Sequence, residues 1–101
     1  MDSWKVKVHP RQPVTYLWGG EKVDEPLDAT LLLTIRVDEL GETIVFGRRD
    51  NTSNPIKTLG TLQAGESFAV SLKGLRGIWA KCADPKVDTY VYCCVQSPSA
   101  T

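Results

Sequence analysis

The chain has 101 residues, close to the commonest domain size and enough to bury one modest core without staples. Its 12 Lys and Arg are matched by 12 Asp and Glu, so it lacks the basic surplus of a dedicated nucleic-acid binder or of a protein held to anionic membranes by charge. No stretch approaches about 18 consecutive apolar residues, the length a membrane-spanning helix needs.

The opening "MDSWKVKVHP" has no apolar run and does not read as a signal peptide. Within it "WKVKVH" alternates strictly: Trp4, Val6 and Val8 on one side, Lys5, Lys7 and His9 on the other. Period two predicts a strand with one face in the core. Pro10 and Pro13 break it, because proline donates no ladder hydrogen bond. "VTYLWGG" is the next expected strand, and the acidic "EKVDEPLDA", Glu21 to Ala29, an exposed loop. "TLLLTIRVDEL" is the strongest strand signal, with Leu31, Leu33, Ile35 and Val37 on one face. A turn at Gly41 leads to "TIVFGRR", so Thr30–Arg49 reads as a β-hairpin.

"DNTSNP", Asp50 to Pro55, is a loop; its Asn51-Thr52-Ser53 triplet matches the glycosylation pattern, but no secretory signal accompanies it. "IKTLGTL" follows as a weaker strand. Phe68, Val70 and Leu72 then alternate with Ser67, Ala69 and Ser71, so "ESFAVSL" is a strand after a turn at Gly65, not a helix. "KGLRG" reads as a tight turn on Gly74 and Gly77, "IWAKC" as a strand, and "DTYVYCCVQ" as the last strand before a polar tail at 97–101.

Strand signals with turns about every 8–12 residues mark an all-β sandwich or barrel. The expectation is a single antiparallel β-sandwich domain over 1–101, jelly-roll-like or Ig-like, with about seven or eight short strands.

No chemistry-bearing constellation assembles. Gly74-Leu75-Arg76-Gly77 has the spacing of a nucleic-acid clamp, but that clamp joins helices and this one joins strands. Ser67 in "GESFA" lacks the second glycine of a nucleophile elbow, and His9, the only histidine, has no recognisable carboxylate partner. Asp24, Glu25 and Asp28 offer some oxygen ligands for calcium but match no known loop. Neither a catalytic residue, nor a metal site, nor a cofactor is expected. Cys82, Cys93 and Cys94 are expected as free thiols, with a Cys82 disulfide to Cys93 or Cys94 as the alternative.

The aromatic residues point elsewhere. If Ile78 and Ala80 face inward, Trp79 faces outward; by the same alternation Tyr90 and Tyr92 lie opposite Thr89, Val91, Cys93 and Val95. Outward Trp and Tyr suit an interface, against the plain alternative that the faces are reversed or a loop covers them. Trp18, Trp79, Tyr90, Tyr92 and Leu32 are therefore candidate interface residues. Arg48 and Arg49 join them as an adjacent pair able to take a carboxylate or phosphate, or to stand solvated at a strand end.

The segment "TLQAGESFAVSLKGLRGIWAKC", within Thr61 to Val95, resembles the ends of small β-sandwich proteins of tailed-phage virions, where an "L-x-A-G-E-S" turn and a "G-L-x-G-I/V-W/Y-A" corner lead into the last strands. The resemblance implies a non-enzymatic capsid decoration (cement) or head-fibre subunit. Such a protein is made in the host cytoplasm, is oligomeric, and binds the major capsid protein or other virion proteins rather than nucleic acid or membrane. No functional residue transfers with it. The alternative reading is a carbohydrate- or receptor-binding sandwich module that stacks sugars on Trp and Tyr.

Overall fold

Alternation along each strand sorts side chains into two sets, and stacking two sheets buries one set from each. The computed structural model describes residues 2–20, 22, 23, 25–50, 56–84 and 86–97. The glycosylation triplet and the tail beyond Ser97 lie outside the described residues. Eight strands form: β1 (Asp2–Val8), β2 (Thr15–Gly19), β3 (Leu32–Val37), β4 (Ile44–Asp50), β5 (Ile56–Leu62), β6 (Ser67–Ser71), β7 (Leu75–Cys82) and β8 (Thr89–Gln96). No helix occurs among the described residues, so none is long and apolar enough to cross a membrane.

The strands make two four-stranded antiparallel sheets. Sheet A has the order β1-β8-β3-β6 and sheet B the order β2-β7-β4-β5. The pairings β1·β8, β2·β7, β3·β6 and β4·β5 nest about the middle of the chain. The chain is in effect one long antiparallel ribbon, folded at its centre and then wrapped into two layers. That is the jelly-roll arrangement; an Ig-like sandwich divides seven strands four and three.

The predicted hairpin over Thr30–Arg49 does not form. β3 belongs to sheet A and β4 to sheet B. Leu33, Ile35 and Val37 therefore face Ile44 and Phe46 across the core instead of lying beside them. Both arrangements produce the same alternation, so the pattern alone does not separate them. The Gly41 turn survives as a corner between sheets: the Gly41 amide donates to Asp38 O at 2.9 Å, and the Glu42 amide to Thr89 Oγ1 at 3.0 Å.

Gly65 (φ +84°) and Gly74 (φ +80°) sit in turns, as expected, in the left-handed region that favours glycine. Gly77 does not. It lies inside β7, buried, paired with Gly19 and Arg49. The turn closes earlier, with the Leu75 amide donating to Leu72 O at 3.0 Å.

Trp4 and Val6 pack on a core that includes Val8, Leu17, Leu72 and Val91, while Lys5 and Lys7 stay exposed, as the alternation requires. Burying one such aliphatic side chain contributes about 1.5–3 kcal/mol. The Trp4 indole also donates to Leu17 O at 2.9 Å, joining β1 of sheet A to β2 of sheet B.

Candidate functional site

The face of sheet A that turns away from the core carries a groove of about 540 Å³. It arises from register. Lys5 of β1, Tyr92 of β8, Arg36 of β3 and Ser67 of β6 lie in one row, and Ser3, Cys94 and Thr34 fill the next. All of these line the groove. Four strands distant in sequence thus place two cations, three hydroxyls, a phenol and a thiol on one surface.

Each cation lies over a tyrosine ring. The Arg36 guanidinium lies 4.8 Å from the Tyr92 ring centroid, and Lys5 Nζ lies 4.7 Å from that of Tyr90. Each contact contributes about 0.5–1 kcal/mol at an exposed site. Neither Lys5 nor Arg36 has an ion pair among the described residues. Lys7, one row away, is bound to Asp88 at 3.2 Å; that hydrogen bond and charge raise its pKa above the usual lysine value.

The interface candidates separate on this surface. Tyr92 is exposed on the outer face of sheet A, as expected, with Tyr90 half-buried beside it. Leu32 is half-buried on the same face. Trp18 packs half-buried against the core beside a bulge between Tyr16 and Trp18. Trp79 points away from the core, since Ile78 and Ala80 are the core residues, yet it is only 2 % exposed. It lies down over Gly47, whose missing side chain makes room: a Cβ there would come within 2.3 Å of Trp79 Cζ2. The face was readable from alternation; the burial depended on a glycine in another strand.

The two arginines differ in their surroundings. Arg49 Nη1 donates to Gly20 O at 3.1 Å and to Val23 O at 2.9 Å, tying down the loop after β2. Arg48 pairs in register with Ile78 and Lys57 and is half-buried.

The three cysteines are free thiols. Cys93 faces the core, and burial pushes its pKa up to about 12. Cys82 Sγ donates to Val8 O at 3.2 Å, and burial raises its pKa as well. Cys94, next in sequence to Cys93, points into the groove. Among the described residues no group of three His, Cys, Asp or Glu is placed to hold a metal ion. Of the calcium candidates, Glu25 and Asp28 are exposed and Asp24 lies outside the described residues.

Sequence reasoning passed over Lys5, Thr34, Arg36 and Cys94. Each was on the correct face of its strand. Their convergence needed the order β1-β8-β3-β6, which no local pattern carries.

No protein-family model matches the chain, and a search of curated proteins finds no match. Among solved structures it is similar to a chain from the endospore appendages of Bacillus, described as a novel family of disulfide-linked pili. The TM-score is 0.59 at 8 % sequence identity, over 93 % of this chain and 81 % of that one. At that identity the two share a fold.

Proposed function

We propose that this chain is a non-enzymatic structural subunit that joins a larger protein assembly through an open sheet edge. The observation that carries the reading is β6. Edge strands present unpaired backbone groups, and proteins that stay apart guard them with charges, prolines or bulges. β1 carries Lys5 and Lys7, the β2 pairing is bulged, and β5 carries Lys57 with an irregular register. β6, Ser67–Ser71, has none of these. It runs in unbroken register with β3, is exposed along most of its length, and carries Phe68 at 42 % exposure. An extended segment of a neighbour adds to such an edge by main-chain hydrogen bonds.

Two resemblances support a structural role and suggest different settings. The Thr61–Val95 segment favours a virion, with the capsid lattice as partner. The likeness to the endospore appendages favours a fibre built of repeated copies. Sedimentation velocity and negative-stain microscopy, with and without capsids, test the reading. Ala69→Lys and Ser71→Lys together place charges on the edge without touching the core, and should abolish assembly in either setting. A wild type that stays monomeric at high concentration and ignores capsids sinks the proposal. Non-reducing electrophoresis adds a second readout. Cys94 is the one cysteine facing outward, so a covalent seam, two Cys94 thiols joined on air oxidation, would run as a dimer in wild type and as monomer in Cys94→Ser.

A further inference from the structure

Net charge is zero, yet the charges are not evenly spread. Lys5 and Arg36 stand unpaired in the groove among the described residues, each over a tyrosine ring. Glu25 and Asp28 stand exposed on the loop between β2 and β3, also without an ion pair among the described residues. That loop is anchored. The Leu27 amide donates to Leu75 O at 2.9 Å, the Gly74 amide donates to Leu27 O at 2.8 Å, and Leu27 packs against the core. With Leu27 fixed, Glu25 and Asp28 flank a tethered point and need little further ordering to bind, which lowers the entropic cost of docking.

We propose that the groove on sheet A receives the Glu25–Asp28 segment of a second copy, with Lys5 and Arg36 facing its two carboxylates. This rests on the assembly reading and supplies it with a second contact. The spacings agree. Lys5 and Arg36 are two strands apart, so their backbones are separated by roughly 10 Å. Three residues of chain, from Glu25 to Asp28, reach up to roughly 10 Å. The hydroxyls of Ser3, Thr34 and Ser67 line the groove as donors for the docked segment. Loop and groove are different surfaces, so the contact is heterologous and each copy can give and receive. It propagates into a chain, or closes into a ring if the rotation permits.

The test reverses the charges in two variants, Lys5→Glu with Arg36→Glu, and Glu25→Lys with Asp28→Lys. Circular dichroism checks that both are folded. Sedimentation velocity at low and high salt then compares them with wild type, alone and mixed. Each variant alone should associate roughly tenfold or more weakly than wild type at low salt. The equimolar mixture should recover, because each variant's loop then meets an oppositely charged groove. The wild-type contact should weaken with salt. A variant that associates like wild type, or a mixture that fails to recover, overturns the groove proposal and leaves the edge reading standing. A wild type that never associates overturns both. If self-association ignores the reversal while heparin binding is lost with Lys5 and Arg36, the groove belongs to a polyanion and the proposal falls.

Discussion

The two outer faces of this sandwich have the same strand count and opposite character, and glycine accounts for much of the difference. Every strand of sheet B contains one: Gly19, Gly47, Gly60 and Gly77. No strand of sheet A contains any. On sheet B, Trp79 lies down over Gly47, and the Tyr16 ring lies on Gly77, where a Cβ would sit 2.9 Å from it. The rings cover the face and Trp79 all but disappears from solvent. On sheet A every position carries a side chain. The tyrosines stay at the surface beside Lys5 and Arg36, and a groove remains between the rows. Large aromatics on an outer strand face thus seal it or leave it open according to the residues across from them.

The largest expected effect comes from unsealing sheet B. Trp79→Ala should cost about 3–5 kcal/mol, the usual loss for a buried tryptophan, measured by urea unfolding. Tyr92→Ala on sheet A should cost less, about 1 kcal/mol, because its partly exposed ring leaves no sealed cavity behind. Equal losses at the two positions would break the contrast drawn between the faces.

That contrast also shows where sequence reading stops. The eight strands and their inward faces follow from alternation, as in Trp4-Val6-Val8 and Leu33-Ile35-Val37. Alternation is local, and both sets of neighbours it requires lie within one strand. What Trp79 meets is decided by Gly47, 32 positions earlier, through the pairing of β4 with β7. What Arg36 meets is decided by Tyr92, through β3 with β8. Pairing across such separations leaves no mark within a strand, so the candidate list included the sealed Trp79 and missed Arg36 and Lys5. The Thr30–Arg49 hairpin failed for the same reason: adjacency in sequence was read as adjacency in a sheet.

The comparison can be sharpened within sheet A, between its inner and outer sides, at Cys93 and Cys94. Unfolded, a cysteine thiol releases its proton near pH 8.5. Folded, Cys93 keeps it up to about 12. Below about 8.5 the thiol is protonated in both states and the contribution is fully present. As pH rises from there toward 12, the unfolded chain holds fewer protons than the folded one, so stability falls by up to a few kcal/mol. Cys82, also raised, acts with the same sign. Melting temperature followed from pH 8 to 11, a range chosen to cover this window, should fall more steeply in wild type than in Cys93→Ala. Parallel curves for wild type and Cys93→Ala would remove the distinction between the two sides.

Between these and the smallest effect lies Gly77→Ala. It should cost about 1–3 kcal/mol, because its Cβ would meet the Tyr16 ring at 2.9 Å and the Gly20 amide nitrogen at 3.2 Å. Tyr16→Ala should relieve much of that cost, so the double variant should be more stable than the sum of the single losses predicts. Additive losses would mean that Tyr16 does not press on Gly77.

The smallest effect on stability falls where the functional consequence is concentrated. Tyr92→Leu keeps an apolar side chain of moderate size on the outer face but removes the ring beneath Arg36. The direct loss is that of one exposed cation–π contact, about 0.5–1 kcal/mol. Arg36 keeps its charge and gains freedom. If the ring holds the guanidinium where a carboxylate of a second copy meets it, association should weaken several-fold while the melting temperature barely moves. Tyr92→Phe retains the ring and should behave as wild type in both measurements. If Tyr92→Leu associates like wild type, the ring does not position Arg36 and the groove depends on charge alone. If Tyr92→Phe weakens association as much as Tyr92→Leu does, the phenol oxygen itself makes the contact.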